Sequence, residues 1–100
     1  MTPDLFTIRW TDADGVRHLE LSGELDLSNV ADLQRAFEQC AGHKRVVVDA
    51  TQLEFIDSTG LHALIDGRNQ LGEDRFVLVP GRTLDRLLDI TGVKKLFRLE

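Results

Sequence analysis

The chain predicts a small α/β fold: a mixed β-sheet that opens with an antiparallel hairpin and carries amphipathic helices packed on it. Three observations point there. Short β-branched runs alternate with stretches in which apolar residues recur every three or four positions. Turn chemistry alone separates the first two strand-like segments, whereas the later ones are separated by enough chain for a helical crossover. With 100 residues, 42% of them hydrophobic and 29% charged, the chain is expected to build one core and a single domain spanning 1–100.

Leu5-Phe6-Thr7-Ile8-Arg9-Trp10 and Val16-Arg17-His18-Leu19-Glu20-Leu21 read as strands joined through Asp12-Ala13-Asp14-Gly15. Alternation in the second assigns Leu19 and Leu21 to the core and turns His18 outward. Val30, Leu33, Phe37 and Cys40 then mark the apolar stripe of a helix over roughly 29–41, with Ser28 as N-cap, Asp32 near its positive end and Gly42 at its exit. The β-branched run Arg45-Val46-Val47-Val48-Asp49 predicts a central strand covered on both faces.

A loop from Ala50 to Asp57 leads to a second helix with the stripe Leu61, Leu64, Ile65 and Leu71, from which Asp66 and Arg68 face away. Arg75-Phe76-Val77-Leu78-Val79 reads as another buried strand, ended by Pro80-Gly81. Leu84, Leu87 and Leu88 give a third helix capped by Thr83 and closed by Gly92, and Leu96-Phe97-Arg98-Leu99 supplies an edge strand. Parallel strands joined by helices require right-handed crossovers. The segments after Leu21, Val48 and Val79 are then expected on the strands' C-terminal side, where Glu24, Asp26, Asp57 and Ser58 share one rim.

A net charge of −5 and scattered basic residues argue against nucleic acid as a partner. The lone Cys40 leaves no internal disulfide and no cysteine-based zinc site; on an apolar stripe it reads as a small hydrophobe. Met1-Thr2-Pro3-Asp4 opens without a basic stretch followed by an apolar block, and no apolar run approaches the ~20 residues of a membrane helix. The expected location is cytoplasmic, without direct membrane contact.

The most informative segment is Phe55-Ile56-Asp57-Ser58-Thr59-Gly60-Leu61, which places a hydroxyl after an acid where a strand-like stretch gives way to a helical one. Ser58 is expected to be the helix N-cap. First-turn amides without intrahelical partners, together with the helix dipole, favour an anion there, so Ser58 is also placed to carry a phosphate. Capping alone explains an arbitrary D-S-x-G, and more than the motif is needed to separate the two readings.

Taken with Gly23-Glu24-Leu25-Asp26, with Val46-Val47-Val48-Asp49 and with the stretch from Leu84 to Phe97, that segment resembles the STAS domain, specifically an anti-sigma factor antagonist, over nearly the whole length. The resemblance implies a partner-switching module rather than an enzyme. In that family the unmodified domain binds an anti-sigma factor, itself a serine kinase, and so frees a sigma factor. Phosphorylation at the position of Ser58 ends the binding, and a PP2C-type phosphatase removes the phosphate. The kinase brings ATP and magnesium, and the domain needs no cofactor or metal.

Partner contacts implied by the resemblance fall on Glu24, Asp26, Asp57, Thr59, Gly60, Leu61 and His62, and a monomer is the expected form. Asp57 is otherwise a solvated turn residue, and Glu24 and Asp26 are otherwise loop solvation; the resemblance favours orientation of the hydroxyl by Asp57 and a recognition rim for the other two. Thr59 is a secondary phosphate acceptor. Two departures from the family pattern are His62, where small or aliphatic residues are expected, and Ser28-Asn29, where threonine-alanine is expected.

A hydrolase would recruit Ser58 as nucleophile, His62 as base and Asp57 or Asp66 as orienting acid, but no G-x-S-x-G elbow accompanies them. His62 and Asp66 lack further ligands for a metal and read as a solvent-facing i,i+4 pair. The closer alternative keeps the fold and changes the partner: a standalone STAS subunit of a lipid-transport ABC system, or part of a stress-signalling scaffold.

Overall fold

The computed structural model describes residues 5–100, so the expectation drawn from Met1 to Asp4 lies outside it. Five strands form one sheet in the order β1-β2-β3-β4-β5. Strand β1 (Phe6–Ala13) pairs antiparallel with β2 (Val16–Leu25), whereas β3 (Arg45–Ile56), β4 (Phe76–Val79) and β5 (Arg98–Leu99) each continue the sheet in parallel. Helices α1 (Val30–Glu38), α2 (Ser58–Leu71) and α3 (Gly81–Thr91) make the crossovers, and a 3₁₀ turn at Lys94–Leu96 precedes β5.

The hairpin turn is tighter than predicted. Asp14 (φ 55°) and Gly15 (φ 79°) form a two-residue connection, and Asp12 and Ala13 belong to the strand. Both central residues at positive φ give the turn whose twist suits a hairpin. Leu19, Leu21 and Leu25 point to the core from β2, and His18 is exposed as predicted. Buried side chains from all three helices join Leu21, Val46, Val48, Phe76 and Leu78 in one cluster. Val47 and Val77 are buried outside that cluster, so the central strand is covered on both faces.

Strand β3 corrects the largest expectation, because the stretch from Ala50 to Ile56 is strand and not loop. Its register against β2 shifts twice, between the partners of Glu20 and Ser22 and again between those of Gly23 and Glu24. Asp49 drives the first shift, its Oδ1 accepting from the Thr51 amide at 2.9 Å and the Thr51 hydroxyl at 2.6 Å. Core-facing residues therefore run Val46, Val48, Ala50, Leu53, Ile56, and the period-2 pattern breaks where the bulges fall. Val79 of β4 pairs with Asp49, so β3 continues past the end of β4.

Helix boundaries differ in detail. Ser28 does not cap α1: its hydroxyl donates to Asp26, and Asn29 occupies the N-cap position. The helix ends at Glu38 rather than near 41, with Cys40 buried in the following turn and its thiol donating to the Ala36 carbonyl at 3.2 Å. Helix α3 begins two residues before Thr83, at Gly81, and ends at Gly92 as predicted. A Cβ on Gly81, which has φ +70°, would lie 2.6 Å from Thr51 Cα, so this glycine lets α3 start directly against β3. In α2, Ala63 and Gly67 join the buried stripe and Ile65 is only half-buried. Arg68 is partly covered rather than turned to solvent, its guanidinium reaching Glu73 at 2.6 Å.

Candidate functional site at the N-terminus of the second long helix

Strands β2 and β3 end side by side, with Leu25 paired to Ile56 and the Asp57 amide donating to the Leu25 carbonyl at 3.2 Å. This brings the β2–α1 turn next to the start of α2. Asn29 braces the turn: its side-chain amide donates to the Glu24 carbonyl at 2.8 Å, and its Oδ1 accepts from the Asp26 amide at 3.0 Å. Asp26 Oδ1 in turn accepts from the Ser28 amide at 2.9 Å and the Ser28 hydroxyl at 2.6 Å. Glu24 and Asp26 thus lie on the rim with Asp57 and Ser58 as the sequence predicts, although Glu24 sits in the strand and Asp26 shapes the turn.

The N-cap of α2 is Asp57, not Ser58. Extended backbone continues from β3 through Asp57 (φ −102°, ψ −177°), and its Oδ1 accepts from the Gly60 amide at 2.9 Å. Its carboxylate therefore holds the helix end rather than the serine hydroxyl. Ser58 becomes the first helical residue, exposed and relieved of the capping role. The amides of Ser58 and Thr59 remain among the first-turn donors that an α-helix cannot satisfy internally.

His62 and Asp66 are exposed, Thr59 is half-buried, and Gly60 and Leu61 are buried. Gly60 is a spacing residue: a Cβ there would meet Ile56 Cγ1 and Leu25 Cγ at 2.9 Å each. Small size at this point lets the first turn of α2 rest on the ends of both strands, with Leu61 anchoring it in the core. Among the described residues, no side-chain hydrogen bond joins Ser58 to His62.

Apolar surface adjoins the site, which the sequence reading did not pick out. Leu27 at the β2–α1 turn is 74% exposed, and Phe55 (47%) and Ile90 (74%) flank a groove of about 190 Å³ lined also by Glu54, Ile56, Thr83, Arg86 and Leu87. Ile90 lies off the stripe Leu84-Leu87-Leu88, and that displacement was the available signal. No described helix is long and apolar enough to cross a membrane.

Comparison with known proteins agrees with this architecture. The anti-sigma-F factor antagonist RsfB of Mycobacterium tuberculosis is 32% identical over 101 residues, covering 97% of this chain and 83% of the relative. An anti-sigma-B factor antagonist of Staphylococcus aureus is 27% identical, over 92% of this chain and 90% of the relative. The crystal structure of an anti-sigma factor antagonist from Mycobacterium paratuberculosis superposes with a TM-score of 0.85 at 31% identity, covering 98% of this chain and 87% of that one. The family model described as "Mlab, STAS domain" matches residues 7–98, and with the sheet order and the strand-to-helix junction at Asp57-Ser58 it identifies the chain as a member of the STAS domain family.

Proposed function

We propose that this STAS domain is an anti-sigma factor antagonist: unphosphorylated, it binds an anti-sigma factor serine kinase and releases a sigma factor, and phosphorylation at Ser58 ends the binding. The observation that carries this reading is the exposed hydroxyl of Ser58, on the first residue of α2 and free of the cap that Asp57 supplies. The names of the relatives from Mycobacterium tuberculosis and Staphylococcus aureus support the antagonist role.

A phosphoserine adds roughly −1.5 to −2 charge and three acceptor oxygens. Within the domain, the helix N-terminus favours it by ~0.3 to 1 kcal/mol while neighbouring Asp57 opposes it, so the fold stays as it is. Across an interface the same dianion meets acidic or apolar groups, and a few kcal/mol of repulsion and desolvation lowers affinity by orders of magnitude. Ser58, His62 and the half-buried Thr59, Asp57, Glu24 and Asp26 form the contact rim, with Gly60 and Leu61 holding it from beneath. A PP2C-type phosphatase resets the switch in the cytoplasm.

The test is intact-mass and phosphosite mapping after incubation with ATP, magnesium and the anti-sigma kinase encoded nearest to this chain. One phosphate at Ser58, absent in Ser58→Ala, is expected. Ser58→Ala should bind the kinase persistently and Ser58→Asp at least ~100-fold more weakly. No modification by an active cognate kinase, or equal affinity of the two variants, would overturn the switch and favour the transporter-subunit or scaffold alternative.

A further inference from the structure

One long edge of the sheet is open. Strand β1 pairs with β2 on one side and, among the described residues, with no strand on the other. Its eight residues include no lysine or proline, and of its two charged side chains Asp12 is tied to Arg17, which leaves Arg9 alone to guard the edge. The two-residue turn makes Ala13 and Val16 a hydrogen-bonded pair. The same parity holds at the far end, where the Glu24 amide donates to the Leu5 carbonyl at 2.7 Å. Thr7, Arg9 and Thr11 therefore use their main-chain groups on β2, whereas Phe6, Ile8, Trp10 and Asp12 direct theirs outward.

That outward set also carries the apolar side chains. Phe6 and Ile8 pack against the core, and Ile8 and Trp10 line a groove of about 230 Å³ beside α1. Trp10 is 56% exposed yet held in place, since the Arg17 guanidinium stacks 4.2 Å from its ring centroid and is itself fixed by bonds of 2.7 and 2.8 Å to Asp12.

We infer that β1 pairs antiparallel with β1 of a second copy of this chain, about a two-fold axis at Ile8, joining the two sheets into one. The register follows from side-chain chemistry. Ile8 on the axis sets Phe6 opposite Trp10 of the second copy on the helix side, and Thr7 opposite Arg9 on the other face. Sliding the pairing to set Ile8 opposite Trp10 places Arg9 against Arg9 in a close non-hydrogen-bonded pair, where like charges repel. With Trp10 on the axis, Ile8 instead faces Asp12, whose carboxylate is already committed to Arg17. An axis at Thr7 sets Phe6 opposite Ile8 but leaves Trp10 without a partner in β1, so the axis at Ile8 is the one that gives Phe6, Ile8 and Trp10 each an apolar partner, with no like charges among residues 6 to 10. Antiparallel pairing also points the two Ser58 ends in opposite directions, so the inference stands independently of the proposed function.

Sedimentation equilibrium of the full chain from about 1 μM to about 1 mM should show the mass doubling with concentration. Thr7→Glu, placed opposite Arg9 twice by symmetry, should tighten the dimer, and Thr7→Lys should weaken it, by about two- to thirtyfold each. Amide exchange adds a second readout: the Phe6, Ile8 and Trp10 amides should become protected as concentration rises, while Thr7, Arg9 and Thr11 are protected throughout. A chain monomeric at every concentration overturns the inference. So does a dimer that leaves the outward amides unprotected, or a pair of Thr7 variants shifted in the same direction.

Discussion

Asp57 and Ser58 are adjacent, and the helix end divides two duties between them. The carboxylate satisfies the Gly60 amide, and the hydroxyl is left exposed. Urea unfolding should therefore show Asp57→Ala less stable by ~0.5 to 2 kcal/mol, with Ser58→Ala within about 0.5 kcal/mol of the parent. Had Ser58 been the cap, the order would be reversed. At the opposite end, the Arg17 hydrogen bonds, with a contribution from His43, hold the Asp12 carboxyl at about 2 against an ordinary 3.8. Because the folded value is depressed, the stabilisation is complete above the unfolded value and is lost as pH falls through about 2. Between about pH 4 and pH 2, the thermal midpoint of the parent should accordingly fall further than that of Asp12→Asn. The buried Cys40 thiol is pushed up by desolvation, so in the native state it should alkylate slowly at pH near 8 and react freely once unfolded.

At the scale of elements, packing of α1 on α2 depends on the absence of a side chain. A Cβ at Gly67 would fall 2.5 Å from two carbons of the Phe37 ring, which itself packs edge-on against Phe76 at 5.6 Å. Alanine there gains up to ~1 kcal/mol of helix propensity but overpacks a rigid aromatic contact, a typical cost of ~1 to 3 kcal/mol. Gly67→Ala should be destabilised in denaturant, and Phe37→Leu in the same background should recover part of the loss. Periodicity made the elements legible from sequence: Leu19 and Leu21 in β2, the valines of β3 and the stripes of the three helices, apart from the half-buried Ile65 and Leu87, are buried as that pattern implies. It could not show that Asp49 would bulge the strand, because Thr51, Gln52 and Glu54 mimic a loop once the pairing register slips. Nor could it choose between Asp57 and Ser58 as cap, since both side chains suit the position and the end of β3 decides. The Ser58 end was legible as a motif, whereas Leu27, Phe55 and Ile90 are single apolar residues that gain meaning only when the fold gathers them at that end.

For the molecule as a whole, the described residues include no buried polar or charged residue. Apart from the Cys40 thiol, which desolvation keeps neutral, a charge added at Ser58 thus has no buried ionisable group among the described residues through which to act at a distance, and its effect belongs to the surface. Amide exchange of the phosphorylated and unphosphorylated chains should differ in the first turn of α2 and the β2–α1 turn and coincide across the β1–β2 hairpin; a change reaching Trp10 would contradict this. The overrun of β3 beyond β4 has a consequence of its own. Past the Asp49–Val79 pair, the strand extends through Ile56, roughly 20 Å at ordinary strand rise, before the chain turns into α2. A protein kinase must bring its target hydroxyl into line with a nucleotide phosphate inside a cleft, and a hydroxyl flush with a flat wall would stop at the lip. Because β2 runs beside the overrun as far as Leu25 and α3 lines its flank, the proposed kinase would meet Ser58 on a ledge two strands wide rather than across the full width of the sheet.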